Sequence, residues 1–142
     1  MANVIPYAFR GELFSGAHNF ASGGNTFKLA LYTSNPYNTS STVYSATNEV
    51  SSSGGTNYTA TGNTLTGNAV VATTAVASCD FADSTWASAS FTAAYGAIYN
   101  DDESDKLCVV LDFSGNKTAT NGTFKVSFPD PSTAADAIIS MA

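Results

Sequence analysis

His18 is the sole histidine in the sequence, and with Cys79 and Cys108 it makes up the whole set of imidazole and thiol side chains. A Ser-His-Asp or Cys-His catalytic arrangement would have to use it, because a weak nucleophile needs an adjacent base. No Gly-x-Ser-x-Gly elbow is present. His18 falls inside an amphipathic stretch, so the plainer reading is a helix residue near a surface or subunit contact. The two cysteines could bind zinc only with two further good ligands, and one histidine leaves carboxylates to complete the set. Both are expected to be small buried apolar residues. A bond between them requires neighbouring strands, and a reducing cytoplasm opposes it.

The carboxylates offer two further chemistries. Asp101, Asp102, Glu103 and Asp105 form the one charge cluster. An EF-hand loop needs oxygen ligands in fixed order, a central glycine and a terminal glutamate, and this segment lacks that order. A solvated hairpin tip is expected, with calcium at a subunit junction as the sharper alternative. Asp80, Asp83 and Asp112 supply candidate carboxylate pairs for glycoside hydrolysis, which needs a set separation across a sugar-sized cleft. Nothing in the spacing points to such a cleft. No catalytic residue, metal ligand or cofactor site is therefore expected. Trp86 and Tyr32, Tyr37, Tyr44, Tyr58, Tyr95 and Tyr99 could build a binding face, since aromatic residues dominate interface hot spots. Those on alternating strands belong to a core. Val4, Ile5, Tyr37 and Tyr44 are the candidate assembly contacts.

The elements that carry these residues are mainly β. Phe9, Leu13, Ala17 and Phe20 recur at helical spacing, predicting one helix over 7–22 that starts after Pro6 and ends at Gly23-Gly24. From Phe27 the apolar period becomes two. Strands are predicted at 27–32, 58–65 and 69–76, with a turn at Gly67-Asn68 between the last two. Phe91, Ala93, Tyr95, Ala97 and Tyr99 alternate on one face, and Leu107, Val109, Leu111 and Phe113 on another, joined through Asn100–Asp105. A turn at Asn121-Gly122 precedes a strand with Phe124, Val126 and Phe128, and Pro129 and Pro131 end regular pairing. The tail from Thr133 is a short strand or helical turn at an edge. About seven strands with turn signals every 8–12 residues predict a mainly β fold, an antiparallel sandwich or barrel with one N-terminal α-helix. The chain of 142 residues suits one domain. Within it, 1–6 form an N-terminal arm and 34–55 a long polar loop, both lacking a clear place in a core and expected to order on assembly.

Composition narrows the partners. Apolar residues make up 44% of the chain and charged residues 11%, against about 25% charged in an ordinary domain. Surfaces poor in charge suit neighbours better than open water. The net charge is −6, and Arg10, Lys28, Lys106, Lys117 and Lys125 form no cluster in sequence. Phosphate binding needs concentrated positive charge, so neither nucleic acid nor an anionic membrane is an expected partner. The first residues lack a leader pattern, and no apolar run approaches a membrane span, so synthesis in a cytoplasm is expected.

Several segments together resemble small virion structural proteins of tailed bacteriophages. They are Phe9-Arg10-Gly11-Glu12-Leu13 through Ala17-His18-Asn19-Phe20, Phe27-Lys28-Leu29-Ala30-Leu31-Tyr32-Thr33 and Thr47-Asn48-Glu49-Val50. Trp86 to Ala93, Gly96-Ala97-Ile98-Tyr99-Asn100, Leu111 to Lys117, and Thr123-Phe124 to Phe128-Pro129 complete the set. Their order and spacing cover most of the chain, while the tail after Pro131 departs from the pattern. The resemblance implies a non-enzymatic role on the particle, first as a capsid decoration (cement) protein. Such proteins commonly sit as trimers, so it implies copies of this chain and the major capsid protein as partners. A tail, neck or spike component is the runner-up, and a carbohydrate-binding adhesin module is the reading from another class.

Overall fold

A computed structural model describes residues 3–131 and 137–141. Residues 1 and 2 of the N-terminal arm, and 132–136 and 142 of the tail, lie outside the described residues. The order is α1 (Tyr7–Phe14), β1 (Phe27–Tyr32), β2 (Asn63–Thr64), β3 (Ala69–Ala72), β4 (Ala77–Asp80), β5 (Ser84–Asn100), a 3-10 turn (Asp101–Glu103), β6 (Lys106–Val126) and β7 (Ile139–Met141). Two antiparallel sheets result, β2-β1-β5-β6 and β3-β4-β7, in a sandwich-like arrangement. No helix among the described residues is long and apolar enough to cross a membrane.

The helix is half the predicted length. It stops at Gly16, whose φ of +76° suits glycine, and not at Gly23-Gly24. The Gly16 amide donates to Leu13 O and the Ala17 amide to Glu12 O, the paired bonds of a Schellman cap. Phe9 and Phe20 are both buried, but Phe20 reaches the core from the turn that follows the helix. The helical spacing across 7–22 therefore joined a helix to a loop.

The four-stranded sheet is buried on both faces along β1, the end of β5 and the start of β6. Phe27, Leu29 and Leu31 point into the main core with Phe9, Phe20, Cys79, Phe81, Ile98, Phe124 and Ile139. Ala30 and Tyr32 point the other way, into a second cluster with Tyr37, Ala97, Tyr99, Leu107 and Val110. The polar segment 34–55 covers that second face. Its Val43 bridges to Lys106 on β6 and its Glu49 to Tyr32 on β1, so it straps the sheet from edge to edge. Val4 packs on this cluster and exchanges two backbone bonds with Val110, and Pro6 is fully buried. Ile5 packs against the main core. Both segments read as lacking a core position thus hold one within the folded chain.

Bulges correct the predicted faces. Ile98 pairs with Val109 but Tyr99 pairs with Leu107, leaving Cys108 as an extra residue. Cys108 and Val109 consequently both join the main core while Leu107 faces the second cluster. Leu107, Val109, Leu111 and Phe113 do not share one face. The register shift between Ala93 and Tyr95 does the same to β5, placing Phe91 and Ala93 in one cluster and Ala97 and Tyr99 in the other. Asn121-Gly122 is not a turn. Asn121 has φ 46° inside β6 and donates its amide to Ser90 Oγ, so the strand runs on to Val126. The segment 58–65 is strand only at Asn63–Thr64, and 69–76 breaks after Ala72 into a turn.

Gly62 positions the short β2 strand. Its φ is +81°, and a Cβ there would lie 1.9 Å from the Leu29 carbonyl oxygen. Gly62→Ala is expected to cost at least ~2 kcal/mol, because both the backbone conformation and the close approach forbid a side chain. A shift in urea midpoint with unchanged slope measures it.

Candidate functional site

The structure does assemble the one base with a thiol. His18 Nδ1 lies 3.8 Å from Cys108 Sγ, and its Nε2 lies 2.8 Å from Glu12 Oε2. Asn100 completes the cluster: its Oδ1 accepts the Asp102 amide, which turns its Nδ2 toward His18 Nδ1 at 3.0 Å. Asn100 therefore donates to Nδ1, and the imidazole proton sits on Nε2 and is donated to Glu12. Thiol, imidazole and carboxylate stand in the order of a nucleophilic triad, but the thiol is sealed. Cys108 is 0% exposed, and burial raises its thiol well above the ordinary value, so the nucleophilic thiolate is suppressed. The cluster ties the end of α1 to the end of β5 and to the hairpin turn beyond it.

The acidic cluster is likewise taken up locally. Asp101 pairs with Lys28, Glu103 with Lys106, and Asp102 accepts the Thr26 amide. The turn is thereby fastened to the start of β1. Among the described residues no three His, Cys, Asp or Glu side chains gather as metal ligands. Asp83 accepts from Lys125 at 2.6 Å, from Ser127 Oγ and from the Phe128 amide. The Lys125 ammonium and these donors hold its carboxyl below the usual carboxylate range. Asp80 lies at the end of β4 and Asp112 on β6.

Tyr37 and Tyr44 are placed against the sheet. Tyr37 is 5% exposed, and its hydroxyl meets Tyr32 Oη at 2.7 Å. Tyr44 packs on Tyr99 and donates to Glu49 Oε2. Glu49 also accepts from Tyr58 Oη and the Thr61 amide. Glu49 had no role in the sequence reading, and it is the fastening point of the strap.

Burial gives the Cys79 thiol and four phenols a shared pH response. It pushes the Cys79 thiol from 9.0 up to about 12, with Asp80 adding to the effect, and raises Tyr32, Tyr44, Tyr58 and Tyr99 above their usual phenol values. Each group keeps its proton in the folded chain at a pH where the unfolded chain has released it. The stabilisation is intact below pH 9 and is expected to fall as pH rises toward 12. Denaturant midpoints across that range test the sign, and a flat profile would contradict it. Iodoacetamide should label Cys108 only on unfolding.

One surface left open among the described residues is the second half of β6. The first half of β6 is covered by other parts of the chain: the Leu107 amide donates to Thr42 O, Val110 pairs with Val4, and the Asp112 amide donates to the Asn3 side-chain oxygen Oδ1. Beyond the irregular stretch around Ser114 and Gly115, both at positive φ, β6 pairs with β5 alone among the described residues. A groove of about 550 Å³ borders this edge at Lys117 and Thr118 and again from Thr123 to Val126. The inward residues Phe124 and Val126 and the outward residues Thr118, Thr123 and Lys125 all border it, so it runs alongside the strand. Its apolar lining includes Leu111, Phe113, Phe128 and Ile138. Lys117 stands at its rim, with no carboxylate partner among the described residues. The sequence held one signal of this edge, namely two lysines eight residues apart on one strand, since lysine guards open edges.

A second exposed feature is the outer face of α1. Phe14 is 95% exposed and Tyr7 60%, with the Arg10 guanidinium 5.5 Å from the Tyr7 ring. No protein-family model matches the chain, and no curated protein or solved structure matches it.

Proposed function

We propose that this chain is a non-enzymatic structural protein of a tailed-phage virion, and specifically a head-decoration protein that clamps neighbouring capsomers. The observation that carries the docking role is the half of β6 that no other described strand pairs with, apart from β5, together with its apolar groove. The one triad-like cluster in the chain has no exposed nucleophile, which favours docking over catalysis. The sequence resemblance supplies the particle. In this reading the chain is made in the bacterial cytoplasm, associates with copies of itself as a trimer, and binds the major capsid protein. The same reading assigns it neither a nucleic-acid nor a membrane partner, supported by the pairing of Lys28, Lys106 and Lys125 with acids of the same chain and by the Arg10 guanidinium over Tyr7.

Modest contacts multiplied over many copies provide the clamp, because each tethered contact makes its neighbours effectively intramolecular. For the adhesin alternative, Trp86, Tyr58 and Tyr99 are buried and unavailable to stack on a sugar, which leaves Tyr7 and Phe14 of α1 as its exposed rings. Copy number separates a decoration protein from a tail, neck or spike part. Quantitative mass spectrometry of purified virions is expected to find the chain at a number comparable to the capsomers. A number matching the tail or its fibres would overturn the head assignment.

A further inference from the structure

We infer that the open half of β6 takes an extended segment of another protein as an added strand, one whose apolar residues alternate and whose carboxylate meets Lys117. This deepens the reading of the chain as an assembly protein and rests on it. One wall of the groove is the outer edge of a strand, whose backbone has no strand partner on that side among the described residues and suits a partner backbone. The other wall is formed by Phe128, Pro129, Ala137 and Ile138. An extended segment alone satisfies both walls, since it presents backbone groups along one side and side chains to alternate faces. Phe113, Phe124 and Ile138 would receive its apolar side chains.

Charge selects among occupants. The chain carries −6 overall, yet two of its five basic residues, Lys117 and Lys125, line this groove beside a single acid, Asp112. Lys125 is held by Asp83, which leaves Lys117 to face an incoming acid. A second copy pairing along the same edge would bring Lys117 of both copies onto one seam. Like charges across a strand pair are unfavourable. The occupant favoured is therefore a foreign acidic segment.

Amide hydrogen exchange on the full chain tests this with capped heptapeptides of alternating Thr and Val that carry one Asp, moved through successive positions. At least one register is expected to slow exchange across 117–125. Replacing its Asp with Lys, or Lys117 with Glu, should weaken binding about five- to tenfold, the scale of a partly exposed ion pair turned into a repulsion. Lys117 is exposed, so Lys117→Glu leaves the fold intact. Protection by no register, or equal binding of Asp and Lys peptides, overturns the inference. So does protection of 117–125 that grows with protein concentration alone, which would assign the edge to a second copy. Binding of Lys117→Glu to empty heads separates the two readings. Undiminished binding removes the groove while leaving the structural role, whereas peptide capture without any head binding removes the head role alone.

Discussion

Phe27→Ala is expected to remove about 3–5 kcal/mol of folding stability, the range for emptying a buried aromatic position. Phe27 is 0% exposed and sits where the helix turn, the two sheets and the main core meet. Its ring stacks on Phe20 at 4.3 Å and 9°, and meets Phe81 edge-on at 5.6 Å. Phe20 in turn packs edge-on against Phe9 of α1. Truncation would leave a void lined by rings that cannot all relax into it, and domains of this size hold only about 5–15 kcal/mol in total. Phe14→Ala provides the control. That ring is 95% exposed, so its loss should move stability by less than about 0.5 kcal/mol. Urea unfolding of the two variants measures both, and equal effects would contradict this description of the core.

Glu49→Ala is expected to cost about 3 kcal/mol and to release the strap. The carboxylate accepts from Tyr44 Oη at 2.6 Å, Tyr58 Oη at 2.7 Å and the Thr61 amide at 2.8 Å. Hydrogen bonds to a charged group contribute about 1.5–3 kcal/mol each, and partial exposure lets water replace some of that. The three donors come from three separate parts of a segment that otherwise has little regular structure. Tyr58 Oη also accepts the Leu31 amide, so its displacement would reach into β1. Glu49→Gln retains one acceptor oxygen and should cost about half as much. Hydrogen exchange should show lost protection at Tyr44, Tyr58 and Thr61 while β5 and β6 stay protected. Uniform loss over the whole chain would show that Glu49 is not a local fastening.

These two sites differ in how far the sequence disclosed them. Phe27, Leu29 and Leu31 alternate without interruption, and period two marks a strand whatever surrounds it, so the strand and its core face were legible. The mainly antiparallel β architecture with one N-terminal helix followed from repeated patterns of this kind. Cys108, Ala94 and Asn121 fall at or beside bulges, where one extra residue reverses the faces beyond it, and alternation alone cannot reveal that. The hydroxyls and backbone groups around Glu49 come from residues scattered over 44–61, so their convergence depended on tertiary contacts. Tyr37 and Tyr44 were singled out because their surroundings are polar. Polar sequence covers a sheet face here, and both rings pack beneath it. Ala17 and Phe20 fitted a helical period by coincidence, since the cap at Gly16 had already ended the helix.

The docking account turns on whether the purified chain binds a particle. Sedimentation of the full chain, alone and after mixing with empty phage heads, tests this most directly. The account predicts a small species when alone that moves with the heads on mixing, saturating at a fixed number per shell. A chain that stays in the slow fraction at every ratio, with the heads intact and their lattice sites free, would contradict it.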